Sequence, residues 1–330
     1  MRNQAERQSL GTRWLGNLLE TNMSERQTIS YLQRRLRESG MTPQARFGQN
    51  FLIDLNLIEL IAKTAELGPR DVVLEVGTGM GSLTQLLAAQ AGHVVTIEID
   101  RNLAPLARDE FAKLNNVTLL EQDALKSKNH MHPLVIETLQ EKVSQIKGGR
   151  VKLVANLPYN VATPILSNML DIEPWPVRMV ATIQLELAER IAAEPRTRDY
   201  SALSIWIQSQ ARVEIVRKMS SKVFWPRPNV ESAILDIRPQ TVLRDRLSDR
   251  KQFHQLVRGI FVHRRKFLRS TLASAVKDKL SKLDVDGILE EMELSPDARA
   301  EQLSVEQMIE LFECVRKRNV IEVEGTNSNA

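Results

Sequence analysis

The apolar positions of this chain change rhythm again and again between residues 51 and 240. Short apolar runs appear at 71–77 (DVVLEVG), 93–100 (HVVTIEID), 116–124 (NVTLLEQDA), 151–159 (VKLVANLPY) and 177–186 (VRMVATIQLE). Between them lie stretches whose apolar residues recur at helical spacing: 51–67, 82–92, 101–114, about 133–146, 163–171 and 201–210. Runs of the first kind read as buried strands and those of the second as helices. Two further strands, 211–219 (ARVEIVRKM) and 231–239 (ESAILDIRP), follow closely, which predicts an antiparallel edge. Strands that alternate with helices predict a doubly wound, mostly parallel α/β sheet, here of seven strands.

After about residue 241 the strand signals stop, and the pattern to about 319 is helical. The expected organisation is a flexible tail over 1–22, an α/β domain over 23–240 with a helix capped at Ser24 and closed at Gly40, a smaller all-helical domain over 241–320, and a flexible tail over 321–330.

The first strand runs into VGTGMGS, where Gly77, Gly79 and Gly81 make a tight turn that lets a ligand approach the backbone without meeting a Cβ. Glu98 ends the second strand, where it can accept hydrogen bonds from ribose hydroxyls, and Asp123 ends the third. Glycines alone make ordinary turns. Glycines between a strand and a helix, with acids closing the next two strands, point to a nucleoside site at the carboxyl edge of the sheet. The dinucleotide fingerprint wants its third glycine one residue later, which argues against a nicotinamide cofactor. Glu75 beneath the loop favours a cationic ligand over a pyrophosphate.

The fourth strand ends in Asn156-Leu157-Pro158-Tyr159. Asparagine and proline also make plain turns. At this place, beside a nucleoside loop, they suit the aminated edge of a planar base. The Asn156 side-chain oxygen and the Leu157 carbonyl supply two acceptors for an exocyclic amine. Pro158 fixes the backbone that carries them, and Tyr159 offers a flat face for stacking. With a sulfonium methyl donor in the nucleoside site, positioning supplies most of the catalysis and no strong base is needed.

These residues, together with RFGQNFLID, EVGTGMGSLT, IEID, EQDA, NLPYNVATPIL, KVFWPRPNVESAIL, FVHRRKFLRSTL and SPDARAEQLSVEQ in that order, resemble the KsgA-type small-subunit ribosomal RNA adenine N6-dimethyltransferases. The resemblance runs from about Arg46 to about Leu311. It implies a Rossmann-like methyltransferase fold, S-adenosyl-L-methionine as cofactor and S-adenosyl-L-homocysteine as product. It further implies dimethylation of adenine N6 in small-subunit rRNA, at two adjacent adenosines near the 3′ end, within an immature ribosomal subunit. By the same resemblance Asn50, Leu52, Gly77, Gly79, Glu98, Asp123 and Asn156 contact the cofactor. Asn156 with Leu157, Pro158 and Tyr159 holds the target amine, and Phe224 stacks on the flipped-out adenine. Two positions depart from the family pattern: Ser270 stands where an asparagine is usual, and Leu185 where many relatives carry lysine. Two other readings compete. One is a large-subunit enzyme of the macrolide-resistance type. The other is an assembly factor for which catalysis is secondary.

Charge adds one feature. The net charge of +4 is mild, but the segment 253–272 reads as an amphipathic helix, or two with a break near His263. Arg258, Arg265 and Arg269 share a polar face, with Lys266 nearby, while Arg264 falls in the apolar stripe. On a base-modifying enzyme this predicts phosphate contacts, extended by Arg46, Arg212 and Arg227. The five histidines and the lone Cys314 show no metal spacing, so no metal is expected, and Cys314 reads as a core residue. No run is apolar enough to cross a membrane and the N-terminus has no apolar leader core, so a cytoplasmic monomer with no membrane partner is expected.

Overall fold

The computed structural model describes residues 29–44 and 48–327. The tail expected over 1–22, the Ser24 cap and Arg46 lie outside the described residues. The first described helix, Ile29–Glu38, ends before Gly40, which takes the left-handed φ of +66°.

Seven strands form the main sheet: β1 (Asp71–Val76), β2 (His93–Ile97), β3 (Val117–Leu120), β4 (Arg150–Asn156), β5 (Pro176–Gln184), β6 (Ala211–Met219) and β7 (Ser232–Pro239). Their spatial order is β3-β2-β1-β4-β5-β7-β6. The β1–β2, β1–β4, β2–β3 and β4–β5 pairs are parallel. All six residues of β1 are buried, as a central parallel strand covered on both faces requires. Val73, Val94, Val154, Val180 and Ile234 pack with Ile58, Ile61, Leu83 and Leu87 of the helices Leu55–Thr64 and Ser82–Ala88. The strand order reverses at β1 and β4, so the loops after those two strands flank a crevice at the carboxyl edge.

One element differs from the sequence pattern. Residues 51–67 are not one helix: Phe51–Leu52 is a short strand antiparallel to Phe224–Trp225, and the helix begins at Leu55. Asp54 caps it, its side chain accepting the Leu57 N–H at 3.3 Å. An N-cap takes extended backbone, which starts the helix four residues later than apolar spacing suggests.

At the opposite, amino edge of the sheet lies a buried charge cluster. The Asp71 carboxylate accepts from Arg150 at 2.7 Å and from Lys152 at 2.9 Å. Lys152 also donates to the Ala65 and Glu66 carbonyls at 2.9 and 2.7 Å, which spends all three of its protons. On β5, Arg178 grips the Asp236 carboxylate with two nitrogens at 3.0 and 2.7 Å.

Contacts divide the chain into two interleaved compact units, one through Leu185 plus Val216–Asp236, the other Glu186–Ile215 plus Ile237 onward. The single boundary expected near 241 therefore becomes a crossing at three points. In the second unit, helices Arg250–Phe261 and Leu268–Ala275 are separated by a break at 262–267, as the periodicity allowed. Trp206 stacks on His254 at 4.2 Å, Phe253 meets Phe312 edge-on, and the Tyr200 hydroxyl donates to the Leu303 carbonyl at 3.0 Å. The last helix runs Val305–Asn327, past residue 320 and into the expected tail. Cys314 is buried in it, and burial together with nearby Glu291 pushes its thiol pKa up.

Candidate active site

A cleft of about 270 Å³ opens at the carboxyl edge, where β1, β2, β3 and β4 end. Gly77, Gly79, Glu98, Asp123, Asn50, Asn156, Leu157, Pro158 and Tyr159 all line it. The turn after β1 is possible because Gly77 and Gly79 hold φ of +90° and +56°. A Cβ on Gly77 would stand 3.3 Å from the Pro158 ring, and one on Gly79 would stand 3.3 Å from the Phe51 ring. The glycine loop therefore lies against the loop after β4 and against the Phe51 strand at positions where a side chain would crowd its neighbour.

Glu98 is buried, and its two oxygens accept from the Gly79 N–H and the Asp100 N–H, each at 2.9 Å. Burial pushes its carboxyl above the usual range, while these backbone donors oppose the shift. Each oxygen keeps a second lone pair, the arrangement a vicinal diol needs. Asp123 accepts from the Leu125 N–H at 2.9 Å through one oxygen, which leaves the other for an amino group. Lined by both apolar and acceptor groups, the cleft offers a nucleoside an apolar surface and hydrogen-bond acceptors. It would hold S-adenosylmethionine with Glu98 on the ribose and Asp123 on the base amine.

Asn156 is fixed by its neighbour. Its amide nitrogen donates to the Asn50 carbonyl at 3.0 Å. A carbonyl only accepts, so the atom facing Asn50 is the amide nitrogen, and the Asn156 Oδ1 is turned away from it as a free acceptor. The Leu157 N–H donates to the Thr182 carbonyl at 3.1 Å, while its own carbonyl accepts from none of the described residues. The Tyr159 hydroxyl bonds Ser232 at 2.6 Å, which fixes the ring, and burial raises the phenol's pKa against that bond.

Not every expected residue arrives. Leu52 is buried in the core and lines a smaller cavity of about 60 Å³ beneath the glycine loop instead. Phe224 is 2% exposed, pairs with Leu52 across the short strands, and does not line the cleft. A pairing partner so distant in sequence gives no local signal that the ring points inward. Glu75 also stays out of the cleft: it is buried, accepts from Thr84 at 2.6 Å and Thr96 at 2.7 Å, and burial pushes its pKa up to about 7. Its charge is therefore partly quenched near neutrality, and the electrostatic argument from Glu75 for a cationic ligand weakens. Conversely, Gln49 and Asn160 line the cleft although sequence gave them no role. Gln49 donates to Asp100 at 2.8 Å and so ties the segment before Asn50 to the loop after β2. Their one signal was adjacency to Asn50 and Tyr159.

In the second unit, Arg258, Arg265 and Lys266 are exposed, and none has a carboxylate partner among the described residues. The other two expected phosphate ligands are committed. Arg264 pairs with Glu301 and donates to the Thr197 carbonyl, and Arg269 grips Asp286 with two nitrogens. Arg212 is exposed, as is Arg227, which donates to Ser221 at 2.8 Å.

A doubly wound sheet ordered 3-2-1-4-5-7-6, with a nucleoside cleft and an Asn-Leu-Pro-Tyr edge, defines a Rossmann-like methyltransferase. A profile of the ribosomal RNA adenine dimethylase family matches residues 41–317, and the chain belongs to that family. It is 36% identical over 294 residues to the ribosomal RNA small subunit methyltransferase A of Pediococcus pentosaceus, covering 88% of this chain and 93% of that one. It is 40% identical over 272 residues to the protein of the same name from Bacillus cytotoxicus, covering 81% and 89%. Among solved structures, the 23S rRNA methyltransferase ErmE superposes with a TM-score of 0.58 at 27% identity, covering 81% of this chain and all of that one. A dimethyladenosine transferase from Plasmodium falciparum gives 0.67 at 23% identity over 80% and 97%, a likeness of fold.

Proposed function

We propose that this chain dimethylates adenine N6 in small-subunit rRNA, using S-adenosyl-L-methionine and releasing S-adenosyl-L-homocysteine, without a metal. The observation that carries the proposal is the pinned amide of Asn156. With its nitrogen turned to the Asn50 carbonyl, the side chain presents its oxygen as an acceptor beside the Leu157 carbonyl in the nucleoside cleft. When bound, the cofactor supplies a methyl group activated by its sulfonium charge. The chain's own residues do the rest. Asn156 Oδ1 and the Leu157 carbonyl accept hydrogen bonds from the amine, two before the first transfer and one before the second, drawing the nitrogen lone pair out of conjugation and aiming it. Each transfer consumes one cofactor and releases one amine proton to water. The Tyr159 ring, held by Ser232, forms one wall for the extruded base. With Phe224 in the core, the second wall is not assigned to an aromatic of that strand.

The similarity to small-subunit enzymes over most of the chain favours that subunit's RNA over the large subunit's. Arg258, Arg265 and Lys266 would hold phosphates and set register without reading sequence. An immature subunit as substrate, two adjacent adenosines near the 3′ end as targets, a monomeric enzyme and a cytoplasmic site of action complete the proposal. In keeping with it, no described helix is long and apolar enough to cross a membrane.

The test is labelled methyl transfer to immature small subunits, followed by nucleoside analysis, for wild type and Asn156→Ala. Dimethyladenosine is expected from the wild type, with a roughly 100-fold or greater loss of rate in the variant, on the scale of removing one preorganised polar contact to a transition state. Product in large-subunit RNA alone would move the assignment to the macrolide-resistance branch. Cofactor binding with no transfer to either subunit would favour an assembly role.

A further inference from the structure

The second unit holds a groove of about 510 Å³ that the phosphate contacts above do not use. It runs between the helix Leu268–Ala275 and the helix Lys282–Glu291. Ser270 and Ser274, one turn apart on the first helix, line one side, with Lys277 just beyond its end. Ser281, Lys282 and Arg269 complete the polar lining, over an apolar floor of Leu280 and Val285. No acidic side chain lines the groove.

The cations are not equivalent. Arg269 is held by Asp286 through two nitrogens, and Ser281 is spent on Asp284 in a capping box. Lys277 and Lys282 are exposed, and neither has a carboxylate partner among the described residues. Lys282 also occupies the first helical position, where the helix dipole disfavours a cation. A second lysine opposite it adds repulsion. The serine hydroxyls at 270 and 274 are left to bond whatever fills the space. Two free ammonium groups and two hydroxyls around a groove whose lining carries no acid are complementary to phosphate oxygens.

We propose that this groove binds the phosphodiester backbone of the substrate RNA, as a contact separate from the Arg258–Lys266 segment. The proposal rests on the rRNA reading above and adds a second anchoring point within the helical unit. It also gives Ser270, which departs from the family pattern, a place in RNA binding.

The experiment compares wild type, Lys277→Glu/Lys282→Glu and Lys277→Arg/Lys282→Arg. It measures affinity for immature small-subunit particles as a function of salt, with cofactor affinity and thermal unfolding as controls. Replacing Lys282 with glutamate removes an unfavourable dipole contact, so a lost fold is not the expected cause of weak binding. The glutamate variant should bind RNA at least tenfold more weakly. Its plot of log affinity against log salt should be shallower by roughly one unit per lysine. The arginine variant should restore both, and cofactor affinity should not move. Wild-type affinity and slope in the glutamate variant would overturn the groove and leave the rRNA reading intact. A wild type that binds no small-subunit particle would overturn both. A parallel titration with inorganic phosphate separates the sources. Saturable phosphate binding lost in the glutamate variant, with RNA binding unchanged, would make the groove a small-anion site and sink the proposal.

Discussion

At the scale of single residues, the site depends on polar atoms whose partners are already assigned. Glu98 uses one lone pair on each oxygen for a backbone N–H. In Glu98→Gln the amide nitrogen must face one of those donors, leaving a buried N–H unpaired at a cost of about 1–3 kcal/mol. Cofactor binding measured by calorimetry should weaken by roughly ten- to hundredfold. Glu75 has a different consequence. Its pKa rises from 4.5 to about 7 on folding, so the folded chain keeps a proton there that the unfolded chain releases. That contribution to stability is complete below about 4.5 and is lost as the pH climbs through about 7. Glu75→Gln cannot titrate but keeps an acceptor for Thr84 and Thr96. Urea unfolding across this window should therefore show the variant gaining on the wild type as pH rises, with no further change above it. A difference that stays constant across the window would show that Glu75 does not hold the proton.

At the scale of elements, the glycine loop and the loop after β4 behave as one body. Gly77→Ala places a methyl group 3.3 Å from Pro158 at a φ of +90° that alanine resists. It should cost about 1–3 kcal/mol and weaken both cofactor binding and transfer, because the strain falls on the residues that carry Asn156. Equal loss in a variant at an exposed glycine such as Gly40 would refute that link. How much of these elements is visible in the sequence follows from whether their causes are local. The central strands β1, β2, β4, β5 and β7 are legible because burial on both faces leaves continuous apolar runs, whereas the edge strand β6 shows itself by alternation and by following closely on a helix. The Phe51–Leu52 strand is not legible, because its pairing with Phe224 and Trp225 is made across more than 170 residues. The same pairing hides the burial of Phe224. Arg269 looks like a phosphate ligand on a helical wheel, yet Asp286, from another element, already holds it; Arg264, which fell in the apolar stripe, is held by Glu301.

At the scale of the whole molecule, that distinction sorts the basic residues into two kinds. Neutralising Arg265 and Lys266 to glutamine should flatten the salt dependence of RNA binding by roughly two units and leave stability unchanged. Arg264→Gln should lower the free energy of unfolding by up to about 1 kcal/mol, as expected for a partly exposed pair, with less effect on the salt slope. The reverse pattern would mean that Arg264 leaves Glu301 to meet RNA. Stability also depends on the amino edge of the sheet, far from the chemistry. Lys152→Met removes one of the two cations facing the buried Asp71 and should destabilise the chain by about 3–5 kcal/mol in chemical denaturation. Cofactor affinity in the fraction that remains folded should be unaltered, since no cleft residue touches that cluster.

The lone cysteine has a practical consequence. Because Cys314 is buried and its thiol is held back from ionising, the native chain should be nearly silent toward maleimides and other thiol reagents. A cysteine introduced at an exposed position such as 265 or 277 would then be the sole fast-reacting group. Such a position could carry a fluorophore or a strand-cleaving probe, so that the RNA itself reports which of its nucleotides lie beside each face of the enzyme.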